Sequence, residues 1–154
     1  AMKLISDSIA QVPIVVADKE GQIKPEHRIS QLLNVKRSTA FSAQDCKELI
    51  GSWLSICGSA FELKIKTGRN TAELWPISPD RIGPVISTTP GEGVTGYAVD
   101  GKREIVYKPE EVIHHKFINP ANPFTGIGPL EVAAKTVDVD TWMRDFNAST
   151  AKSR

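Results

Sequence analysis

The sequence predicts an α+β domain in which hairpins of mostly antiparallel strands pack with a long amphipathic helix, closed by a long C-terminal helix. Three observations predict this fold class. Apolar residues recur at the helical period over 43–57, the period changes to two from residue 60, and a helical pattern returns from residue 129. Helices and strands thus form separate runs, with no regular alternation of strand and helix.

The composition is that of an ordinary globular domain. Of 154 residues, 40% are hydrophobic and 24% are charged, with 19 Lys and Arg against 18 Asp and Glu. These values exclude disordered, collagen-like and fibrous proteins, and the balanced charge gives no footprint of nucleic-acid binding. No apolar run approaches the roughly 18 to 20 residues that span a bilayer, so no membrane partner is predicted.

The first forty residues predict two short helices and a small hairpin. An amphipathic helix is predicted over 2–10 and ends before Pro13. The β-branched run 14–16 predicts a strand that turns into a second short strand at Ile23. Residues 28–34 then predict one or two helical turns.

The long amphipathic helix has clear signals at both ends. Ser42 with Asp45 three residues later resembles a capping box, and Gly58 stands where a left-handed cap is expected. The interior Gly51 costs about 1 kcal/mol relative to Ala, which indicates either close packing or simple tolerance. The core-facing stripe consists of Cys46, Leu49, Ile50, Trp53 and Cys57.

From residue 60 the sequence predicts antiparallel hairpins. Apolar and charged residues alternate over 61–66, which is typical of a half-buried strand. Asp100-Gly101 is the strongest hairpin signal in the chain, and Pro84 confines its strand to a sheet edge. The predicted strands are 60–66, 72–75, 82–86, 96–99, 102–107 and 112–117.

A last helix is predicted over 128–154, with Gly128 near the cap and Pro129 at the first helical position. Its apolar residues widen from one stripe into nearly all-round coverage. We therefore predict that Trp142, Met143 and Phe146 pack against missing sequence or another subunit. A single larger core within the chain is an equally open alternative.

No catalytic, cofactor or metal site is predicted. The segment 91–96 matches G-x-G-x-x-G in letters, but the strand before it and the helix after it are missing, so it is interpreted as a flexible hairpin loop. His114 and His115 are neighbours on a strand and face opposite sides, so they cannot bind one metal ion together. Cys46 and Cys57 lie about 16 Å apart along their helix, too far for a disulfide.

Five segments occur along the chain in an order that resembles the portal proteins of tailed bacteriophages and prophages. They are residues 8–13, 57–62, 74–82, 111–114 and 126–131. The most specific is 74–82, where a strand ends on Trp-Pro and a Pro-Asp-Arg turn leads into the next strand. In 126–130 a glycine-rich loop opens the last helix. The motif residues carried by the resemblance are Trp75, Pro76, Pro79, Asp80, Arg81, His114, Gly126, Pro129 and Leu130.

The resemblance implies a structural protein and no enzyme. Portal proteins form a ring, typically a dodecamer, through which DNA is packaged and ejected, and to which terminase, capsid and tail or adaptor proteins attach. DNA passes the channel without sequence-specific binding. The expected location is the portal vertex of the virion, with assembly in the bacterial host cytoplasm. Residues 2–127 correspond to a wing-like α+β domain, and residues 128–154 to a helix leading toward the stem or remaining body.

The ends of the chain lead to two expectations. Ala1 precedes Met2, an order that initiation does not produce, and Ala1 is interpreted as the remnant of a purification tag. The last helical pattern has no closing signal, so the chain is expected to be an excerpt of a longer protein.

Two other functions stay open at this point. One is another virion connector or tail-binding module of the same fold class. The other is a small hydrolase that uses His114 or His115 with a carboxylate such as Glu110 or Asp80.

Overall fold

The computed structural model describes residues 2–101 and 106–135. It confirms the α+β class. Residues 129–135 are helical. The elements with defined bounds are α1 (Met2–Gln11), α2 (Arg28–Asn34), α3 (Ala43–Cys57), β1 (Ser59–Thr67), β2 (Asn70–Ile77), β3 (Ile82–Ile86), β4 (Val94–Val99), a 3-10 turn (Pro109–Glu111) and β5 (Val112–Lys116).

The strands form two antiparallel sheets. The first has the order β2-β1-β5 and the second pairs β3 with β4. The hairpin β1-β2 confirms its prediction, but the strands do not form one continuous meander, since β5 returns to pair with β1. In that pairing Phe61 lies opposite His114. The return satisfies the second backbone edge of β1, whose first four residues are buried.

The main hydrophobic core lies between the two sheets. Phe61, Ile82, Tyr97 and Val112 are buried there, and the rings of Phe61 and Tyr97 meet edge to face at 5.9 Å. Such pairs add about 0.5–1.5 kcal/mol beyond their area burial. The β3-β4 ribbon thus covers the Phe61 face of β1.

The capping signals of α3 are confirmed at both ends. The Asp45 N–H donates to Ser42 Oγ at 3.1 Å, and the Ser42 N–H donates to the Asp45 carboxylate at 3.2 Å, which forms a capping box. At the other end Gly58 has a φ of 73°, the left-handed conformation that favours glycine. The sequence therefore fixes where this helix begins and ends.

The buried face of α3 is wider than the predicted stripe. Cys46 and Ile50 are buried as expected, but Leu49, Trp53 and Cys57 are only partly buried. Small or long-stemmed residues complete the buried face. They are Ala43, Lys47, Gly51 and Ser55.

The interior glycine of α3 permits close packing with α1. A Cβ at Gly51 would lie 3.2 Å from both Ser6 Cα and Ile9 Cδ1. The close-packing alternative for Gly51 is therefore correct. It also explains the wider buried face, because α1 covers a side of α3 that carries no large apolar residue.

The predicted N-terminal hairpin forms its turn but only a minimal pairing, with backbone hydrogen bonds from Asp18 to Gln22 and from Lys24 to Val16. Its only β pairing within the described residues is one isolated bridge between Ala17 and Ile23. The Asn34 side chain instead binds the backbone of Ile14, accepting from its N–H at 2.9 Å and donating to its carbonyl at 2.6 Å. In this β-branched run, Val16 accepts from the Lys24 N–H at 2.7 Å across the turn, while the Asn34 amide supplies the hydrogen bonds of Ile14.

The Asp100-Gly101 turn has the backbone that its sequence predicts, with φ values of 55° and 70°. On the returning side Tyr107 forms an isolated bridge with Tyr97, while residues 102–105 lie outside the described residues. Helix 129–135 starts at Pro129, as predicted. Trp142, Met143 and Phe146 lie outside the described residues. Within residues 2–101 and 106–135, no helix is long and apolar enough to cross a membrane.

Candidate functional site

The chain approaches its last described helix through a contact between two main chains. Residues 126–128 cross the end of α3, and a Cβ on Gly126 would overlap the carbonyl oxygen of Gly58. A Cβ on Gly128 would overlap the carbonyl of Ile56, and one on Gly58 would overlap the backbone of Ile127. We call residues 56–59 and 126–128 the exit joint. Its three glycines let backbones touch where side chains would separate them.

Ser59 connects the exit joint to the sheet. The Gly126 N–H donates to Ser59 Oγ at 2.9 Å, and His114 Nε2 lies 3.3 Å from the same oxygen. The Phe117 N–H donates to the Gly58 carbonyl at 2.9 Å. A hydroxyl can accept two hydrogen bonds and donate one, so Ser59 can serve both partners at once.

His114 is a core residue of this region. Its ring stacks on Phe61 at 4.3 Å with an interplanar angle of 23° and meets Tyr97 edge to face at 5.9 Å. Burial, with the positive charges of Lys116 and His115, lowers the pKa of His114 to about 4. His114 is therefore neutral at pH 7. Its ring packs against Phe61 and Tyr97, while its Nε2 faces the Ser59 hydroxyl.

The depressed pKa of His114 predicts a pH-dependent stability. The unfolded chain takes up a proton near pH 6.5 and the folded chain only near pH 4, so the free energy of unfolding falls as pH drops between these values. His114→Phe keeps the ring and removes the titration. Urea denaturation at pH 7.5 and 4.5 should show a loss in the parent that exceeds the variant's loss by up to about 3 kcal/mol. Equal losses in both proteins would contradict the prediction.

A buried ion cluster lies on the other face of the same sheet. Glu62 is 1% exposed and Arg37 is 3% exposed, and Arg37 Nη1 donates to Glu62 Oε1. His115 Nε2 lies 2.8 Å from Glu62 Oε2. Burial alone would raise the pKa of Glu62, but the His115 hydrogen bond and the Arg37 charge hold it below its ordinary value. Glu62 is thus a charged group inside the domain.

The sequence did not predict this ion cluster. Period-two alternation places Glu62 on the polar side of a half-buried strand, whereas α3 and the loop before it bury that side as well. The position of Glu62 between Phe61 and Leu63, in the most apolar part of β1, was the one available signal. Arg37, in a polar loop, gave none.

Cys46 lies near the ion cluster. Burial, together with the nearby Glu62 and Asp45, raises the pKa of the Cys46 thiol to about 11, against an opposing effect of Arg37. The thiol is therefore protonated at neutral pH and unreactive as a nucleophile. Both cysteines are free, as their spacing predicts.

The segment 74–82 takes no part in the exit joint. Its Trp75 contacts the loop before α3 instead. Trp75 meets Phe41 edge to face at 5.5 Å, and Pro76 is buried opposite Glu62 in the β1-β2 pairing. Trp75 thereby holds the loop before α3 against β2.

The Pro-Asp-Arg turn is held by hydrogen bonds within the turn and to Asp100. The Ser78 hydroxyl donates to the Asp80 carboxylate beside Pro79. The Arg81 guanidinium donates to both Asp100 oxygens, at 2.9 and 3.2 Å, and these contacts raise the Arg81 pKa. This exposed pair joins the residue before β3 to the residue after β4, at the open end of the ribbon.

The motif residues thus fall into two groups. His114 and Gly126 meet at Ser59, with Pro129 and Leu130 directly after the exit joint. The structure does not bring the other five to that place. They are Trp75, Pro76, Pro79, Asp80 and Arg81.

Within the described residues, neither histidine contacts Asp80 or Glu110, the carboxylates suggested for a hydrolase. Asp80 binds Ser78, and Glu110 contributes its backbone carbonyl to Lys64 at 3.0 Å. His114 contacts aromatic rings, and His115 contacts Glu62 in the ion cluster. Within residues 2–101 and 106–135, no three His, Cys, Asp or Glu side chains form a group that could hold a metal ion.

The polar groups of the exit joint and the ion cluster hold helix, loop and sheet together. A family model described as phage portal protein matches residues 1–154. The chain belongs to the phage portal protein family, which is a family of structural proteins.

Solved structures show the same fold. A chain in the neck of an empty gene transfer agent (GTA) particle, computed with C6 symmetry, has a TM-score of 0.72 and 21% identity over 96% of this chain and 40% of that chain. A chain in the virion of the native GTA particle gives 0.66 and 20% identity, over 96% and 39%. A chain in the native neck computed with C12 symmetry gives 0.65 and 20%, over 96% and 40%. No curated protein matches. The chain spans 40% or less of these neighbours.

Proposed function

We propose that this chain is the N-terminal, wing-region part of a portal subunit, a structural module of a ring at one vertex of a viral capsid. The whole-chain match to the phage portal family carries the proposal. The fold similarity to chains of particle necks computed with sixfold and twelvefold symmetry supports it. In this proposal residues 2–127 are the wing-like domain, and residues 128–154 lead toward the rest of the subunit.

The same proposal assigns partners to the full-length protein. DNA passes through the ring during packaging and ejection, and terminase, capsid and tail or adaptor proteins attach to it in the virion and during assembly in the host. The balanced charge of +1 supports passage without tight binding, because each neutralised phosphate strengthens DNA binding and would slow sliding. A virion connector of another kind is the second candidate, since the neighbours belong to particle necks.

The helix after the exit joint is the proposed contact to neighbouring structure. Leu130 and Val132 are each 46% exposed at its start, so an apolar surface already begins there. In sequence, this apolar character continues to Trp142, Met143 and Phe146. We infer that these three residues pack against another subunit or the remaining body.

Electron microscopy of the full-length protein tests this function. We expect closed rings around a channel wide enough for duplex DNA. A double variant, Trp142→Ser with Phe146→Ser, should lower the fraction of closed rings, whereas Lys135→Ala on the same helix should not. Full-length protein that stays monomeric would overturn the portal assignment. Rings without a DNA-sized channel would favour the connector alternative.

A further inference from the structure

A groove lies between α2 and the neighbouring sheet and shares no residue with the exit joint. Its volume is about 460 Å³, within the usual range of about 300–1,000 Å³ for ligand pockets. Its walls come from α2, from the turn between β1 and β2, and from β5. We call this cavity the basic groove.

The lining of the basic groove is mainly apolar. Leu74 is 3% exposed, while Leu32, Leu33 and Ile113 are partly buried beside it. At the edge Ile29 is 50% exposed. A hydrophobic residue inserted here would remove this apolar surface from water, which favours binding.

Three cations line the same groove, and no carboxylate does. They are Arg28, Lys64 and Arg69. Arg28 donates to the Thr71 carbonyl and Lys64 to the Glu110 carbonyl. Across residues 2–101 and 106–135, none of these three cations forms an ion pair. The groove therefore carries three positive charges that no acidic side chain of the described residues neutralises.

A smaller hollow extends the basic groove past Arg28. Its volume is about 270 Å³, and it shares Arg28, Leu32 and Thr71 with the groove. It adds Lys36 and Val35, whose side chain is 70% exposed. The combination of a cation with an exposed aliphatic residue is thus repeated along α2.

We propose that the basic groove binds an acidic amphipathic segment of a separate protein, with aliphatic side chains on the apolar floor and carboxylates at the three cations. Charge complementarity selects an acidic partner, and the apolar floor selects one with hydrophobic anchors. DNA fits less well, because phosphate contacts would leave Leu32, Leu74 and Ile113 uncovered. The proposal does not depend on ring formation.

The groove and the exit joint lie at different places along β1. The exit joint is at Ser59, whereas the first residue of β1 that lines the groove is Lys64. Five residue steps of strand separate these two residues by about 17 Å. A segment bound in the groove therefore need not touch the exit joint.

A binding titration with full-length protein tests the proposal. The probe is a fluorescein-labelled 14-residue peptide of alternating Glu-Glu and Leu-Leu pairs, followed by anisotropy at 0.15 M salt. We expect the double variant Lys64→Glu with Arg69→Glu to weaken binding at least tenfold. Ile29→Ser should weaken it severalfold. Lys19→Glu, a single charge reversal at an exposed residue outside the groove, should have no effect.

Three further measurements can overturn the proposal. A peptide with Ser in place of Leu that binds equally well would show that the apolar floor is not used. A labelled DNA duplex that binds at the groove while the peptide does not would identify a nucleic-acid site. Density from the same or a neighbouring subunit filling the groove in the full-length ring would identify an internal contact. Matching melting temperatures confirm that the variants are folded.

Discussion

Arg37→Ala is expected to lower the free energy of unfolding by about 3–5 kcal/mol. The substitution removes the guanidinium beside the Glu62 carboxylate, which is 1% exposed in the parent and keeps only His115 as a partner. The desolvation of a buried charge is then no longer compensated. Urea denaturation at pH 7 measures the loss directly, and a loss below about 1 kcal/mol would contradict the account of the ion cluster.

A double variant separates the charge from the packing. Arg37→Met combined with Glu62→Leu fills similar space without a buried ion pair, and such replacements are often neutral or stabilising. Arg37 Nε, which has no hydrogen-bond partner within the described residues, favours this result because the native pair is incompletely satisfied. We expect the double variant to be more stable than Arg37→Ala. A double variant as unstable as the single one would mean that shape, and not charge, decides the loss.

The ion cluster also has a defined pH dependence. The folded pKa of Glu62 lies below its ordinary value of 4.5. Its contribution is therefore complete above that value and is lost as pH falls through the folded pKa. Glu62→Gln should abolish this part of the acid sensitivity.

Gly126→Ala is expected to cost about 3 kcal/mol or more. The added methyl group would overlap the Gly58 carbonyl and lie 2.9 Å from Ser59 Oγ. Since most of these neighbouring atoms belong to the backbone, they cannot rotate away as a flexible side chain would. The methyl group must therefore separate residues 126–128 from the end of α3, with loss of the hydrogen bond from Gly126 to Ser59. Thermal unfolding measures the cost, and electron microscopy of the full-length variant shows whether rings still close.

Gly83→Ala is the matched control for this clash. A Cβ at Gly83 meets no atom within 4 Å, and Gly83 is not among the positive-φ glycines. Its effect should stay within about 0.5 kcal/mol. A similar loss at Gly83 and Gly126 would mean that the exit joint is not a close backbone contact.

The sequence predicted the local elements well because their signals are local. Ser42, Asp45 and Gly58 set the ends of α3 by hydrogen bonds within a few residues. Asp100 and Gly101 adopt their turn because both accept a positive φ. Each of these outcomes depends on neighbours in the chain, which a single sequence contains.

Contacts between residues far apart in the sequence could not be predicted from these local signals. The return of β5 to β1 and the burial of Glu62 depend on which elements meet in space. The run 14–16 had the composition of a strand, but its pairing is limited to one backbone hydrogen bond at Val16 beside the isolated bridge of Ala17 with Ile23. Glycines at 126 and 128 indicated a loop, whereas their contact with residues 56–58 became visible only in the structure.

The exit joint has a mechanical consequence for any assembly that pulls or pushes on helix 129–135. Its contacts are made by main-chain atoms, which have far fewer ways to yield than long side chains. A displacement of Pro129 would therefore reach the end of α3 with little damping, and from there α1, which is packed on Gly51. We therefore expect helix 129–135, the end of α3 and α1 to move together when the helix is displaced.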